Sequence, residues 1–403
     1  MAVFHYAVRD KAGNVRKGSL EGDSRDAVGA KLREMGYIIL ELNQQSQLAA
    51  LGQMKFGTGV KVKDVAIFAR QFSTMINAGL SLTKCLSILA DQTESSGLKD
   101  IIGQVAGDVE AGQSLSESLA KHPRVFPPIF VNMVRAGETG GVLDEVLVRV
   151  ADHFESELAL RGKIKSAMTY PVVMGVIVVV ILVAMMIFVV PVFQGMFESM
   201  GGELPFITQL LVDVSAFASG AGGLVALMGA VGAIFAFRWW KTTVTGKYVW
   251  DGAKLKMPVF GSLVRKIALA KFTRTFGTLV SAGVPILSAL DIVADTSGNE
   301  VIARAVKKTR SAIKEGETIA KPLSESKVFP SMLVQMIAVG EETGALDAML
   351  NKIADFYEEE VSAAVDGLTS LIEPLMMATL GLIVGGMVIA LYMPMFQVIT
   401  LIQ

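Results

Sequence analysis

The sequence predicts a mainly α-helical membrane protein with a small N-terminal ββαβ module, two homologous cytoplasmic six-helix bundles and three transmembrane helices. Three observations carry that prediction. The composition is 52% hydrophobic and only 19% charged, with a mean hydropathy of +0.51, well away from an average soluble domain. Three apolar runs free of charge are each long enough to cross a bilayer. The second half of the chain, finally, repeats the first.

In chain order, residues 1–42 read as strand, strand, helix, strand. Phe4–Arg9 and Val15–Glu21 flank Lys11, Ala12, Gly13 and Asn14 as a hairpin, Ser24 caps a helix to Met35 that Gly36 ends, and Tyr37–Leu42 is the third strand. Residues 43–60, rich in Gln, Gly and small side chains, read as a flexible linker. The first residues carry Arg9, Asp10 and Lys11 and no long apolar stretch, so they read as neither a signal peptide nor a transit peptide.

The repeat begins after the linker. Phe68, Arg70 and Phe72 realign with Phe272, Arg274 and Phe276, and the register holds through Leu86 and Leu290. Val125-Phe126-Pro127 then meets Val328-Phe329-Pro330, and Gly137-Glu138 through Leu143-Asp144 meets Gly340-Glu341 through Leu346-Asp347. Within each copy the apolar residues fall at i, i+4, i+7 and i+8, as in Phe68, Phe72, Met75 and Ile76, which is the spacing of a buried helix face. Helix stops are expected at Gly79, Gly112 and Gly137 and again at Gly283, Gly316 and Gly340, and Ser114 to Glu117 reads as a capping box. Each copy continues into a membrane segment, pairing Pro171 with Pro374 and Pro191 with Pro394.

The spans are Val172–Phe197, Val214–Phe237 and Leu375–Gln403 before trimming, against the ~20 helical residues that cross ~30 Å of hydrocarbon. Pro171 and Pro374 are expected at the helix entries, where a missing N–H costs nothing. Arg161, Lys163 and Lys165 precede the first span and Arg238, Lys241 and Lys247 follow the second, whereas residues 191–220 contain no Lys or Arg. Positive charge stays inside, so the N-terminus is cytoplasmic, the loop is external, and an odd number of spans sends the C-terminus out. Trp239 and Trp240 suit an interfacial belt. The third span has an acidic approach and takes its direction from the other two. The second span has no mate in the repeat; it returns the chain so that both bundles face the same compartment. The expected plan is 1–42 module, 43–60 linker, 61–166 first bundle, 167–193 first span, 194–213 external loop, 214–237 second span, 238–371 cytoplasmic segment with the second bundle, 372–398 third span and 399–403 external tail.

Chemistry is conspicuous by what is missing. Net charge is −1 with Lys and Arg dispersed, so no basic field collects nucleic acid. There is no phosphate-cradling Gly-x-x-x-x-Gly-Lys-Ser/Thr, no His-Glu-x-x-His, no Gly-x-Ser-x-Gly and no intramembrane carboxylate pair. His5, His122, His153 and the single Cys85 are too few and too far apart for a metal site, and no cofactor is expected. Cys85, among Leu82, Leu86 and Leu89, reads as a small buried apolar residue. The chain is read as a non-enzyme.

The two Gly-Glu turns, each followed by a helix and then a proline-led span, together with the tail Tyr392-Met-Pro394-Met-Phe396, resemble the PilC/GspF family of inner-membrane platform proteins. The resemblance covers essentially the whole chain, and its second half looks more like the pilus branch than the secretion branch. It implies a multi-pass protein of the bacterial inner membrane. Its implied partners are a cytoplasmic hexameric assembly or retraction ATPase that engages the bundles, pilins in the membrane, other inner-membrane alignment proteins, and further copies of the chain in a dimer or higher homo-oligomer. The alternatives are a type II secretion platform and, of another class, a transporter or channel. The few spans and the cytoplasmic mass stand against the latter.

Five residues carry partner hypotheses, each beside a plainer reading. Glu138 and Glu341 either complement the N-terminus of a following helix or present a repeated acidic corner to the ATPase. Gly381 and Gly385 form a GxxxG face for helix packing, or are glycines of the kind common in membrane helices. Glu373, where repeat one has Tyr170, either complements the dipole at the start of the third span or pairs with the new N-terminal amine of a mature pilin.

Overall fold

A computed structural model of the chain describes residues 2–9, 15–22, 29, 36–44, 59–192, 195, 209, 213, 217, 220–258 and 260–401. They fall into two units, one built around an N-terminal sheet and one helical.

The sheet is antiparallel in the order β2-β1-β3, with β1 Ala2–Arg9, β2 Val15–Gly22 and β3 Ile38–Gln44. Phe4 faces Leu20 across one edge and Gln44 across the other, and a bulge falls between Ala7 and Val8. The third strand reaches Gln44, two residues into the expected linker, because Asn43 and Gln44 pair with His5 and Phe4. The helix expected over 24–35, apart from residue 29, and residues 45–58 of the linker lie outside the described residues.

The helical unit contains the duplication. Repeat one comprises α1 Val62–Asn77, α2 Leu82–Gln92, α3 Ser96–Glu110, α4 Leu115–Ala120, α5 Pro128–Gly140 and α6 Leu143–Ala184. Next come α7 Ala221–Trp240 and α8 Val244–Lys256. Repeat two comprises α9 Phe260–Ser281, α10 Ile286–Thr296, α11 Glu300–Lys314, α12 Ala320–Ser324, α13 Ser331–Thr343 and α14 Leu346–Leu401. The apolar stripe forms each core as expected. Phe68 and Phe72 are buried with ring centroids 5.5 Å apart, and Phe126 lies 5.7 Å from Phe68. In repeat two Phe272 sits 5.9 Å from Phe276 and 5.1 Å from Phe329. Cys85 is fully buried.

Two helix-boundary expectations need correction. Gly79, Gly112, Gly283 and Gly316 do take the left-handed conformation that stops a helix, but in the Gly-Glu turns that role falls to Gly141 (φ 69°) and Gly344 (φ 70°). Gly137 and Gly340 lie inside α5 and α13. Similarly, Pro171 and Pro374 do not open helices. They lie deep within α6 and α14, whose first turns are at Leu143 and Leu346. Each proline removes one backbone bond from a continuous helix, as membrane helices tolerate. Residues 185–189 of the first long helix form one π-helical turn, and the helix continues to Val192.

Among the described residues two helices are thus long and apolar enough to cross a membrane, Leu143–Val192 and Leu346–Gly386. Their apolar residues face outward there: Val172 is 61% exposed and Leu382 80%.

Candidate functional site

Each repeat ties its bundle together, and its long helix to that bundle, by the same three devices. The first is the Gly-Glu pair. A Cβ on Gly137 would stand 3.0 Å from Val146 Cβ and 3.2 Å from Leu143 Cα; on Gly340, 3.0 Å from Leu346 Cα and 3.1 Å from Met349 Cβ. Glycine therefore lets α5 close on the first turn of α6, and α13 on that of α14.

The neighbouring acids reach elsewhere. Glu138 accepts from the backbone N–H groups of Leu115 (2.6 Å) and Ser116 (3.0 Å), and Glu341 from Ile319 (2.9 Å) and Ala320 (3.4 Å). These are orphan donors at the starts of α4 and α12, which a carboxylate satisfies with help from the helix dipole. The acid caps an earlier helix rather than the following one, and both of its oxygens are engaged inside the chain. Ser114 adds its own cap, accepting from Glu117 N–H at 3.2 Å.

The third device lay partly hidden in the sequence. Arg70 Nε donates to Glu155 at 2.7 Å and its Nη2 to Asp152 at 2.5 Å; Arg274 Nε donates to Glu358 at 2.7 Å and its Nη2 to Asp355 at 2.6 Å. Each guanidinium ties the first helix of its repeat to two carboxylates on the long helix. The arginines realign in the sequence. The acids were readable too, as Asp-x-x-Glu at Asp152 and Glu155 recurring at Asp355 and Glu358.

Where the repeats meet, α6 packs against α9 and α14. Lys163 donates to Ser362, and Lys271 pairs with Glu157 at 3.8 Å. Burial works against ionisation of Glu157, but Lys271 and Arg161 outweigh it and hold its carboxyl below the usual range. Beside them lies a cavity of about 370 Å³, lined among others by His153, Glu157, Lys271 and Thr275. His153 Nδ1 and Thr275 Oγ1 are buried without partners. Burial, with Lys271 and Arg274 adding to it against the pull of Glu157, pushes the His153 imidazole down to about 4.

The membrane residues stand apart from this lock. Gly381 and Gly385 have nothing within 4 Å of where a Cβ would be, so their face is open. Gly222 on α7, by contrast, lies against the ring of Phe217 with no room for a Cβ. Glu373 is exposed and sits 27 residues inside α14 (373 − 346). A dipole acts only over a helix's first turn, so it does not account for this carboxylate. Among the described residues no three His, Cys, Asp or Glu side chains converge as a metal site would require.

Comparison with known proteins agrees with this duplicated plan. The family model for type II secretion system (T2SS) protein F matches twice, over residues 68–191 and 272–394, and that for the N-terminal domain of the same protein matches residues 1–43. The chain is similar to a type IV pilus assembly protein PilC of Myxococcus xanthus, 43% identical with 100% of this chain and 96% of the relative covered. A second protein of that name, from Thermus thermophilus, is 43% identical over 99% of this chain and 98% of its own length. A type II secretion system protein F of Vibrio cholerae is 33% identical over 98% of each.

Proposed function

The chain belongs to the type II secretion system protein F family, and on that premise we propose that it is the inner-membrane platform of a type IV pilus machine. It would couple a cytoplasmic hexameric ATPase to the insertion or removal of pilin subunits. Identity of 43% to the two pilus assembly proteins against 33% to the secretion protein favours the pilus branch.

One observation supports the mechanical part of this reading: in each repeat the helix clamped by the bundle is the helix that enters the apolar segment. α14 runs without a break from Leu346 to Leu401, about 84 Å at 1.5 Å per residue. A displacement of the bundle would therefore travel into the bilayer along one rigid element.

In the full proposal, residues 1–42 form a ββαβ module, α7 is the second of three spans, the N-terminus is cytoplasmic and the C-terminus periplasmic. Segment limits follow the plan drawn from the sequence, with each bundle helix continuous into its span. Gly381 and Gly385 offer an open face to a neighbouring helix, of a second copy or of a pilin. Glu373 offers an exposed carboxylate to a pilin's N-terminal amine. Glu138 and Glu341 act on the ATPase only indirectly, by holding the bundles in shape.

Inserting three glycines after Gly367 should uncouple bundle from span. The expected outcome is a protein that accumulates in the membrane and still co-purifies with the ATPase but supports no pili. Normal piliation by that variant would reject the coupling.

A further inference from the structure

The helix that follows the second span, α8, has no counterpart among the described residues ahead of repeat one, and it is fastened to the end of α7. Thr243 Oγ1 donates to Trp240 O at 2.7 Å and accepts from Gly246 N–H at 3.1 Å. Trp250 of α8 meets Phe237 of α7 edge-on at 4.9 Å, with Lys241 over both rings. The outer side of this corner is apolar: Trp239 is 74% exposed, Val244 72% and Val249 50%. A helix carrying Lys247, Lys254 and Lys256 at the foot of a membrane segment holds positive charge close to where anionic headgroups lie.

Between α8 and the second bundle lies a groove of about 580 Å³. Tyr248, Val249, Leu255 and Val301 give it apolar walls, and its charged lining is Lys256, Arg265 and Lys327 with no acid. The nearby acids are already spent. Asp251 is buried, pairs with Lys254 at 2.7 Å and accepts from Glu300 N–H at 2.9 Å; the Glu300 side chain pairs with Arg304 at 3.1 Å and Lys247 at 3.5 Å. Arg265 donates to the carbonyls of Val328 (2.8 Å) and Lys327 (3.0 Å), which orients it without neutralising it. Among the described residues none of the three cations is in an ion pair.

We propose that this groove binds an anionic phospholipid, its phosphate between Lys256, Arg265 and Lys327 and its upper acyl chain along Tyr248, Val249 and Val301. Charge complementarity selects the headgroup, and continuity with the apolar corner of α7 and α8 selects a lipid over a soluble anion. The inference rests on reading α7 as a span that ends at the cytoplasmic face.

The test uses the full chain reconstituted in phosphatidylethanolamine nanodiscs doped with phosphatidylglycerol, then transferred to mild detergent for native mass spectrometry. Lys256 and Lys327 are exposed, so K256Q/K327Q should fold normally and retain about tenfold less phosphatidylglycerol than the wild type. Equal retention by the two proteins, or displacement of the lipid by millimolar inorganic phosphate or a polyglutamate peptide, would overturn the proposal. The span is tested separately, by labelling T242C in a C85A background with an impermeant maleimide. Labelling from the outer face would reject the span; cytoplasmic labelling with unchanged lipid retention would reject the lipid site alone.

Discussion

The two repeats solve one mechanical problem with the same parts, and they differ where each meets something the other does not. The Gly-Glu lock, the arginine clamp and the phenylalanine pair on the first helix occur in both, at matched positions and similar distances. Repeat one adds Phe130 and Phe154 to its aromatic core where repeat two has Leu333 and Tyr357. Repeat one turns His153 into the junction, whereas its mate Phe356 is 42% exposed. Among the described residues, α8 stands at the front of repeat two alone. Residues common to both copies therefore hold a bundle to its long helix, and those that differ either repack the core, as Phe130 and Leu333 do, or mark the junction, as His153 does.

The largest expected effect tests whether the copies are equally necessary. Phe72 and Phe276 are both fully buried, so Phe72→Ala and Phe276→Ala should each cost about 3–5 kcal/mol. The thermal midpoint of the detergent-purified chain measures it; a variant that melts like the wild type would show that its repeat contributes nothing to the transition.

The caps come next. Removing a half-buried carboxylate that accepts two N–H bonds costs about 1–3 kcal/mol, so Glu138→Ala and Glu341→Ala should destabilise alike. The local signature is faster hydrogen exchange at Leu115 and Ser116 in the first variant and at Ile319 and Ala320 in the second. Exchange unchanged at those amides, with loss of ATPase binding instead, would return both acids to the partner surface.

The arginines should separate the copies. Arg274 is 19% exposed and Arg70 37%, so Arg274→Ala is expected to cost about 1–2 kcal/mol and Arg70→Ala less than about 1 kcal/mol. Equal costs would mean that the burial of repeat two at the junction has no energetic consequence.

Legibility in the sequence followed the range of the interactions. Periodicity marked the core because Phe68, Phe72 and their mates obey a local rule, and length and composition marked the long apolar helices for the same reason. Pro171 and Pro374 lie inside helices rather than at helix entries because proline's preference for a first turn is a local statistic, and a helix already begun at Leu143 or Leu346 overrides it. Glu138 was legible as a cap but not as the cap of a helix about twenty residues earlier, since only tertiary closure brings Leu115 to it. The junction was illegible. Nothing local says that His153 faces Lys271 and Thr275 of the other copy.

The smallest expected effect probes that junction through pH. The His153 imidazole falls from an ordinary value of 6.5 to about 4 in the fold, chiefly because burial penalises its charge. Between those values the unfolded chain takes up a proton that the folded chain refuses, so stability falls as pH drops below 6.5 and keeps falling until the folded imidazole itself titrates. At pH 6 the loss relative to pH 7.5 is about 0.8 kcal/mol. His153→Phe installs the residue that repeat two carries at the matching position, and the adjoining cavity of about 370 Å³ gives the larger ring room. The variant should therefore lose less thermal stability than the wild type between pH 7.5 and pH 6, while the two differ at pH 7.5 only through packing. Identical pH shifts would place His153 in contact with water and break the distinction between the buried junction and the open face that Phe356 occupies.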